Sequence, residues 1–288
     1  MTATLIDGRR ISSALRADLT EGAARFAAAA GTPPTLAVVW VGGDAPSEQY
    51  ARQIRRDFER SGFGVRPHPL AEETPESELV ALLGGLDRDP AVHGVLVETP
   101  LPPHVDVARV SLAIPVQKDV DGVHPINAGF LFTGSGSSFA PATPSGGIEL
   151  LERIGVSPRG KRAVVVGRSA SVGKPMAFML LHRNATVTIC HSHTERLAEI
   201  VPQAEILVAA AGVPRLIKGE WIRPGAVVID FGVNVGETGL VGDVDFESAS
   251  RVAGWITPVP GGTGPMTVTM LMKNTLLAAR RQHPTLTD

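Results

Sequence analysis

The sequence predicts an α/β protein with two lobes, each built on a parallel sheet. Three observations support this: a length of 288 residues, apolar strands that alternate with helices, and a segment rich in Gly, Ser and Pro near the middle. Because single hydrophobic cores stop growing at roughly 250 residues, two domains are expected. Hydrophobic residues make up 43% of the chain and charged residues 19%, a balance typical of soluble globular proteins rather than disordered ones.

The N-terminal part predicts a first βαβ unit. Apolar residues at helical spacing follow Asp7, and two later apolar runs rich in β-branched residues are typical of buried strands. The predicted elements are a helix containing Ile11, Leu15 and Leu19, a strand at 35–41, a helix at about 47–61, a helix around 79–86, and a strand at 94–98. Strands separated by helices at this spacing indicate a parallel sheet.

The segment 134–147 (GSGSSFAPATPSGG) is the predicted domain boundary. Beyond it, four closely spaced apolar runs predict a second α/β unit. The predicted strands lie at 163–166, 186–189, 206–209 and 226–229. A final helix at 267–281 is expected to cross back to the first lobe.

Composition and charge argue against several classes of function. A net charge of −2 gives no positive electrostatic field that would attract a polyphosphate backbone, so nucleic acid is not expected as a partner. No run reaches the roughly 18 apolar residues of a membrane span, and the charged N-terminus does not resemble a secretory signal, so a cytoplasmic protein is expected. The single cysteine, Cys190, is interpreted as a buried strand residue, and the scattered histidines predict no metal site.

Residues 167–175 (GRSASVGKP) follow a predicted strand and predict a nucleotide-binding loop. A glycine allows the chain to turn sharply, small residues let backbone amides approach a pyrophosphate, and proline suits the first helical turn. The spacing is not the usual G-x-G-x-x-G, because Ser169 stands where the middle glycine would be. An ordinary strand-to-helix turn is the alternative. The candidate cofactor residues here are Gly167, Arg168, Ser169, Val172 and Gly173.

The end of the next strand favours NADP over NAD. An NAD enzyme tends to carry an acidic residue there to bind the ribose hydroxyls, whereas this sequence has none before Glu195. Arg168, with His191 and Ser192, is suited to a 2′-phosphate. An exposed strand end is the alternative for His191, and the preferred one for His193.

Four stretches in order resemble the methylenetetrahydrofolate dehydrogenase/methenyltetrahydrofolate cyclohydrolase family. They are KDVDGVHPINAG at 118–129, PATP at 141–144 with alanine in place of the family's cysteine, GRSASVGKP at 167–175 and TPVPGGTGPMT at 257–267. The resemblance implies a folate-binding lobe of residues 1–140 plus 268–288, a Rossmann lobe of residues 141–267 carrying NADP, and a homodimer. It also implies a tetrahydrofolate-type substrate, in the cleft between lobes where a ligand site is expected on general grounds.

The resemblance also implies roles for individual residues. Tyr50, in the family's S-x-x-Y pattern, would stack on the aminobenzoyl ring, and Asp121 would accept from the pterin donors. The substrate-facing glycine-rich turn would include Pro258, Pro260, Gly261 and Gly262. The alternatives are a half-buried helix aromatic for Tyr50, an ion pair or cap near Lys118 for Asp121, and a rigid turn for the last group.

Two positions depart from the family. The lysine expected four residues after Tyr50 is Ile54, and the glutamine that holds that lysine is Glu98. Oxidation of methylenetetrahydrofolate depends mainly on positioning, whereas hydrolysis of the methenyl product requires proton transfer. Arg55 and Arg56 are poor substitutes, because arginine stays protonated.

The sequence therefore predicts NADP-dependent oxidation with weak or absent cyclohydrolase activity. Three alternatives stay open: a bifunctional enzyme in which Glu98 or Lys118 compensates, a family member recruited to a related substrate in a dedicated pathway, and a binding protein without catalysis.

Overall fold

The structure, a computed structural model, describes residues 2–43, 45–136, 139–236 and 239–286, with the backbone alone at 45–47 and 286. Its elements are, in chain order, β1 (Thr4–Leu5), α1 (Gly8–Ala30), β2 (Thr35–Val41), α2 (Ala45–Arg60), β3 (Gly64–Leu70), α3 (Glu76–Arg88), β4 (Gly94–Val97), α4 (Val107–Ala113), α5 (Pro125–Thr133), α6 (Ala142–Arg153), β5 (Arg162–Val166), α7 (Gly173–His182), β6 (Thr186–Cys190), α8 (Leu197–Ile200), β7 (Ile206–Ala209), β8 (Val227–Asp230), β9 (Asn234–Gly236), β10 (Gly239–Val241), α9 (Phe246–Ala249), β11 (Trp255–Ile256) and α10 (Thr263–Gln282). The predicted α/β class is confirmed.

The chain forms two compact units, named here by their sheets. The six-strand unit comprises Met1–Ser13, Leu131–Gly134 and Thr143–Thr267. The three-strand unit comprises Ala14–Phe130, Ser135–Ala142 and Val268–Asp288.

The six-strand unit is built on a parallel sheet of order β1-β11-β8-β7-β5-β6. Its central strands are fully buried: β7 and β8 expose no residue appreciably, as expected for a sheet covered on both faces. Parallel strands end at one edge, so the loops after β5, β6, β7, β8 and β11 share that edge. Ligands of open α/β sheets bind there.

The three-strand unit has a parallel sheet of order β3-β2-β4. All seven residues of β2 are buried, which explains the uninterrupted apolar run that predicted this strand. The edge strand β3 was not predicted, because Pro67 and Pro69 interrupt its pattern. Proline is tolerated in a strand at a sheet edge, where no ladder hydrogen bond is lost.

The predicted elements lie close to the observed ones. The strands expected at 35–41 and 206–209 have those bounds, and α10 begins four residues before the expected final helix. In the expected boundary segment, α6 already begins at Ala142, and Ser137 and Ser138 lie outside the described residues.

The compact units differ from the expected lobes at the N-terminus. Residues 1–13 were expected in the folate-binding lobe, but β1 pairs with β11 in the six-strand unit. The functional bounds of the lobes stay a prediction. Across the part of the chain that is described, no helix is both long and apolar enough to cross a membrane.

Candidate active site

The candidate nucleotide loop, residues 167–173, connects β5 to α7. Gly167 has a φ of 135°, and a side chain there would lie 2.0 Å from the carbonyl oxygen of Ala210. A side chain at Gly173 would likewise lie 2.3 Å from the carbonyl oxygen of Gly167. Both positions therefore require glycine, because the backbone passes too closely for a Cβ atom.

Ser169 occupies the middle position of the loop and bonds the backbone just before and at the start of α7. Its hydroxyl oxygen accepts hydrogen bonds from the backbone N–H groups of Val172 and Gly173, each at 3.1 Å. A serine that bonds the first amides of a helix stabilises its start. The departure from the glycine pattern thus has a structural reason, and residues 168–171 form an exposed tip before α7.

The end of β6 lies beside this loop. In the register of the sheet Val166 pairs with Cys190, and the N–H of Gly167 donates to the carbonyl oxygen of Cys190 at 2.9 Å. Arg168 and Ser192 are therefore on neighbouring strand ends, and both are exposed. Exposed arginine and hydroxyl side chains on neighbouring strand ends are suited to a 2′-phosphate such as that of NADP.

Two side chains at the β6 end have structural explanations. The Nδ1 atom of His191 accepts from the N–H of His193 at 3.2 Å, which orients the His191 ring at the strand end, while His193 is exposed. Cys190 is fully buried, and burial raises the pKa of its thiol. A thiol with a raised pKa is a poor nucleophile, in agreement with its interpretation as a core residue.

In the segment 118–129, Asp119 stabilises the local backbone, whereas Asp121 lies near the candidate substrate residue Tyr50. Asp119 is fully buried and accepts from the N–H of His124 at 2.8 Å and from Nδ2 of Asn127 at 2.7 Å. These bonds close the turn that holds Asp121. Burial, together with the charge of Asp119, raises the pKa of Asp121 to about 7.

Lys118 is a helix cap in this structure. Its Nζ donates to the carbonyl oxygens of Leu86, Asp87 and Asp89, each at 2.8 Å, at the end of α3. Burial lowers its pKa. All three donors of the ammonium are occupied, so the geometry gives no support to Lys118 as a compensating base or as the ion-pair partner of Asp121.

Tyr50 and Ile54 lie one turn apart on α2 but in different surroundings. Tyr50 exposes 39% of its surface, whereas Ile54 is fully buried. Desolvation of its hydroxyl group, followed by the charges of Asp121 and Glu98, raises the pKa of Tyr50. The structure therefore places both Asp121 and Glu98 within electrostatic range of Tyr50.

The family's lysine position is part of the hydrophobic core here. Ile54 cannot carry a proton, while Arg55 and Arg56 are exposed to solvent. Glu98 follows β4, exposes 7% of its surface and precedes a cis Thr99–Pro100 bond. Two carboxylates and no lysine therefore accompany Tyr50 at these candidate positions.

The glycine-rich turn, residues 258–262, lies after β11 in the six-strand unit. It contains a cis Val259–Pro260 bond, and Gly261 has a φ of 108°, which favours glycine. A side chain at Gly8 would lie 1.8 Å from the carbonyl oxygen of Gly262, so the start of α1 packs directly on this turn.

Two buried aspartates were missed from the sequence. Asp230 ends β8 and Asp243 follows β10, with exposed fractions of 2% and 0%. Burial raises the pKa of Asp230 to about 6, although N–H donors from Val244, Gly232 and Asp243 act in the opposite direction. The available signals were an aspartate that ends an apolar run, Asp230, and an aspartate directly after a glycine, Asp243. Among the described residues, no group of three His, Cys, Asp or Glu side chains is arranged to hold a metal ion.

The chain is similar to known proteins over almost its whole length. Residues 6–121 match the family described as tetrahydrofolate dehydrogenase/cyclohydrolase, catalytic domain, and residues 141–283 match its NAD(P)-binding domain. The bifunctional protein FolD of Moorella thermoacetica is 53% identical over 282 residues, which cover 98% of this chain and 100% of that protein.

Solved structures show the same fold. The bifunctional FolD enzyme of Campylobacter jejuni, a methylenetetrahydrofolate dehydrogenase/cyclohydrolase, has a TM-score of 0.95 and 40% identity over 97% of this chain and 99% of that one. The dehydrogenase-cyclohydrolase of Trypanosoma brucei, complexed with NADP cofactor and an inhibitor, has a TM-score of 0.93 and 39% identity over 98% of both chains.

Proposed function

Because the chain belongs to the tetrahydrofolate dehydrogenase/cyclohydrolase family, we propose that it oxidises 5,10-methylenetetrahydrofolate to 5,10-methenyltetrahydrofolate with NADP as the hydride acceptor. The observation that carries this proposal is the loop at 167–173, which combines a closely packed pair of glycines with an exposed Arg168, on the strand end next to that of Ser192. The cluster of Tyr50 and Asp121 supports a folate-type substrate.

The residues of the chain contribute binding and orientation. When bound, NADP supplies the ring that accepts hydride, and the substrate's own nitrogen lone pair assists the departure of the hydride. Tyr50 offers an aromatic face to the aminobenzoyl ring, and Asp121 offers a carboxylate to the pterin N–H donors. Such positioning can provide most of the acceleration, since fixed near-attack geometry replaces a bimolecular encounter.

We further propose that cyclohydrolase activity is weak or absent, although the compared relatives carry bifunctional names. Hydrolysis of the methenyl cation needs a group that moves protons between water and the ring nitrogens. Ile54 is buried and apolar, and Lys118 is bonded to three carbonyl oxygens. Glu98 is the remaining candidate for a compensating base.

The paired changes at Ile54 and Glu98 also favour a second candidate, oxidation of a related substrate. Relative to the family's lysine and glutamine, this pair replaces a positive and a neutral side chain with a neutral and an acidic one. A site with Glu98 and Asp121 attracts cations, which fits the methenyl cation of the main proposal as well as a different substrate with positive charge. Turnover of pterin analogues relative to methylenetetrahydrofolate distinguishes the two candidates.

A spectroscopic assay tests the main proposal. With methylenetetrahydrofolate and NADP supplied, NADPH and the methenyl absorbance are expected to rise together, and the methenyl signal should decay only at its spontaneous rate. Rapid enzymatic decay would show an active cyclohydrolase. Absence of NADPH formation would contradict the dehydrogenase.

Restoration of the family pair tests the reason for the missing step. The Ile54→Lys/Glu98→Gln variant is expected to hydrolyse the methenyl product at least about tenfold faster than wild type. A fully optimised acid–base group accelerates a reaction by about 10²–10⁴-fold, so only part of that gain is expected. Ile54→Met is the matched control, because it changes the packing at the buried position without adding a charge. Equal rates for both variants would indicate that more than this pair has changed.

We also propose that the protein is a homodimer in the cytoplasm. The family resemblance is the only support for this assembly.

A further inference from the structure

The two buried aspartates link elements that the proposed function leaves separate. On one side, Asp243 holds the turn after β7: its Oδ2 accepts from the N–H of Ala211 at 2.6 Å and of Gly212 at 2.8 Å. This turn continues from Ala210, whose carbonyl oxygen is the atom on which Gly167 of the nucleotide loop packs. Only the turn at residues 210–212 therefore separates Asp243 from the loop proposed to bind NADP.

Asp230 connects Asp243 to the other side. Its Oδ1 accepts from the N–H of Asp243 at 3.1 Å and of Gly232 at 2.8 Å, and its Oδ2 accepts from the N–H of Val244 at 2.9 Å. The two carboxylates therefore fix the strand ends after β8 and β10 against each other. Hydrogen bonds to a carboxylate are charge-assisted and roughly twice as strong as neutral ones.

The backbone of Asp230 holds both ends of the glycine-rich turn. Its N–H donates to Oγ1 of Thr257 at 2.8 Å, and its carbonyl oxygen accepts from Oγ1 of Thr263 at 2.9 Å. Thr257 and Thr263 flank residues 258–262 directly and expose 1% and 5% of their surfaces. The turn is therefore anchored at both ends to one residue of β8.

Two glycines leave the space that this arrangement needs. A side chain at Gly242 would lie 2.0 Å from Oδ2 of Asp230, and one at Gly232 would lie 2.4 Å from Oδ1 of Asp243. The carboxylates of Asp230 and Asp243 thus occupy the space that a Cβ atom at Gly242 or Gly232 would need. Close fitting of this kind holds the connected loops in one geometry.

We infer that Asp230 and Asp243, here called the two-aspartate bridge, are positioning residues that couple the nucleotide loop to the glycine-rich turn. The inference rests on the proposed function, because it assigns NADP to the nucleotide loop. Through the bridge, loosening of the turn at residues 258–262 relaxes Asp230, then Asp243, and then the 210–212 turn that supports Gly167. A change at the glycine-rich turn should therefore weaken NADP binding even without folate.

Thr257→Val tests this coupling, because it removes the hydroxyl but keeps the shape of the side chain. The expected result is at least about a fivefold increase in the Kd of NADP, measured by fluorescence titration without folate. Thr257→Ser keeps the hydroxyl and should stay within about twofold of wild type. Asp243→Asn should also weaken NADP binding, and the double variant Thr257→Val/Asp243→Asn should show less than the product of the two single effects, as for residues in one network.

Ser248→Ala is the matched control for lost stability. Ser248 Oγ accepts from the N–H of Gly219 at 3.0 Å, a bond of the same type outside the bridge. This variant should lower the thermal midpoint and leave the Kd of NADP unchanged.

The same result for Thr257→Val, a lowered midpoint with an unchanged Kd, would overturn the coupling and leave the proposed function intact. If Thr257→Val does not fold, Thr263→Val applies the same test at the other end of the turn. A folded wild-type protein that binds no NADP would overturn the proposed function as well.

Discussion

Asp121 is the candidate substrate-binding carboxylate whose pKa lies in the neutral range. Its pKa is raised to about 7 by burial and by Asp119. The proposed partner of Asp121 is a set of pterin N–H donors, which bond a carboxylate better than a carboxylic acid. The value of kcat/KM for the dehydrogenase is therefore expected to increase as pH rises through about 7, because kcat/KM follows ionisation of the free enzyme.

Asp121→Asn provides the control for this profile. The amide has a similar shape and does not titrate, so kcat/KM should fall by about 10²-fold, the lower range for a lost charged contact in a closed site, and its inflection near pH 7 should vanish. Initial rates between pH 5.5 and 8.5 give both results. An inflection that persists in the variant would assign the titration to another group.

Several site residues were accessible from the sequence because single motifs carry them. Asp121, Gly167 and Gly261 lie in short runs whose residue types imply a turn or an acceptor. Asp230 and Asp243 were not accessible in this way. The hydrogen bonds that connect the two loops through them span 13 to 33 residues, and no local spacing encodes those partners.

The helix α3 is stabilised at its C-terminal end by a side chain that is distant in sequence. Lys118 Nζ bonds three carbonyl oxygens at its end, where a helix has no intrahelical donors. Lys118→Met keeps the length of the side chain but leaves those carbonyl groups buried without their donor. The free energy of unfolding is expected to fall by about 2–4 kcal/mol.

Urea unfolding of the two variants measures this effect. Lys161→Met is the control, because the pair of Lys161 with Glu205 at 3.6 Å lies at the surface and should contribute under about 1 kcal/mol. Equal losses for both variants would show that the cap contributes no more than a surface ion pair.

The predicted elements were most accurate where burial is uniform. The strand β2 was predicted with its observed bounds, because all seven of its residues are buried and all but Thr35 are apolar. The strand β3 was missed because its prolines and polar residues belong to a sheet edge, and edges are defined by neighbours that are distant in sequence. Ser169 was recognised as a departure, but its hydrogen bonds required the coordinates.

Ligand binding should increase the free energy of unfolding of the protein. A ligand that binds only the folded state adds RT ln(1 + [L]/Kd), about 2.7 kcal/mol at a concentration one hundred times Kd. NADP is therefore expected to raise the thermal midpoint more than NAD at equal concentration, because the proposed partner of Arg168 and Ser192 is the 2′-phosphate, which NAD lacks.

Arg168→Ala tests that preference. The variant should reduce the shift with NADP to the level seen with NAD and leave the midpoint of the ligand-free protein close to wild type, since Arg168 is exposed. Lys174→Ala, an exposed change just beyond the loop, is the control. A larger NADP shift that survives in Arg168→Ala would place the preference elsewhere.

The two-lobed α/β organisation followed from length, strand spacing and motif order. The position of the N-terminus did not, because a strand of two residues, Thr4–Leu5, has too short a pattern to predict. Its pairing with β11 is fixed by the tertiary structure.

That pairing has a consequence for synthesis on the ribosome. Thr4 pairs with Trp255, so about 250 residues must be added before the first strand meets its partner. At typical elongation rates of about 5–20 residues per second, this takes roughly 13–50 seconds. The strand β1 therefore has no partner strand while these residues are added, and Gly8 cannot pack on Gly262 until the chain has been extended past that residue.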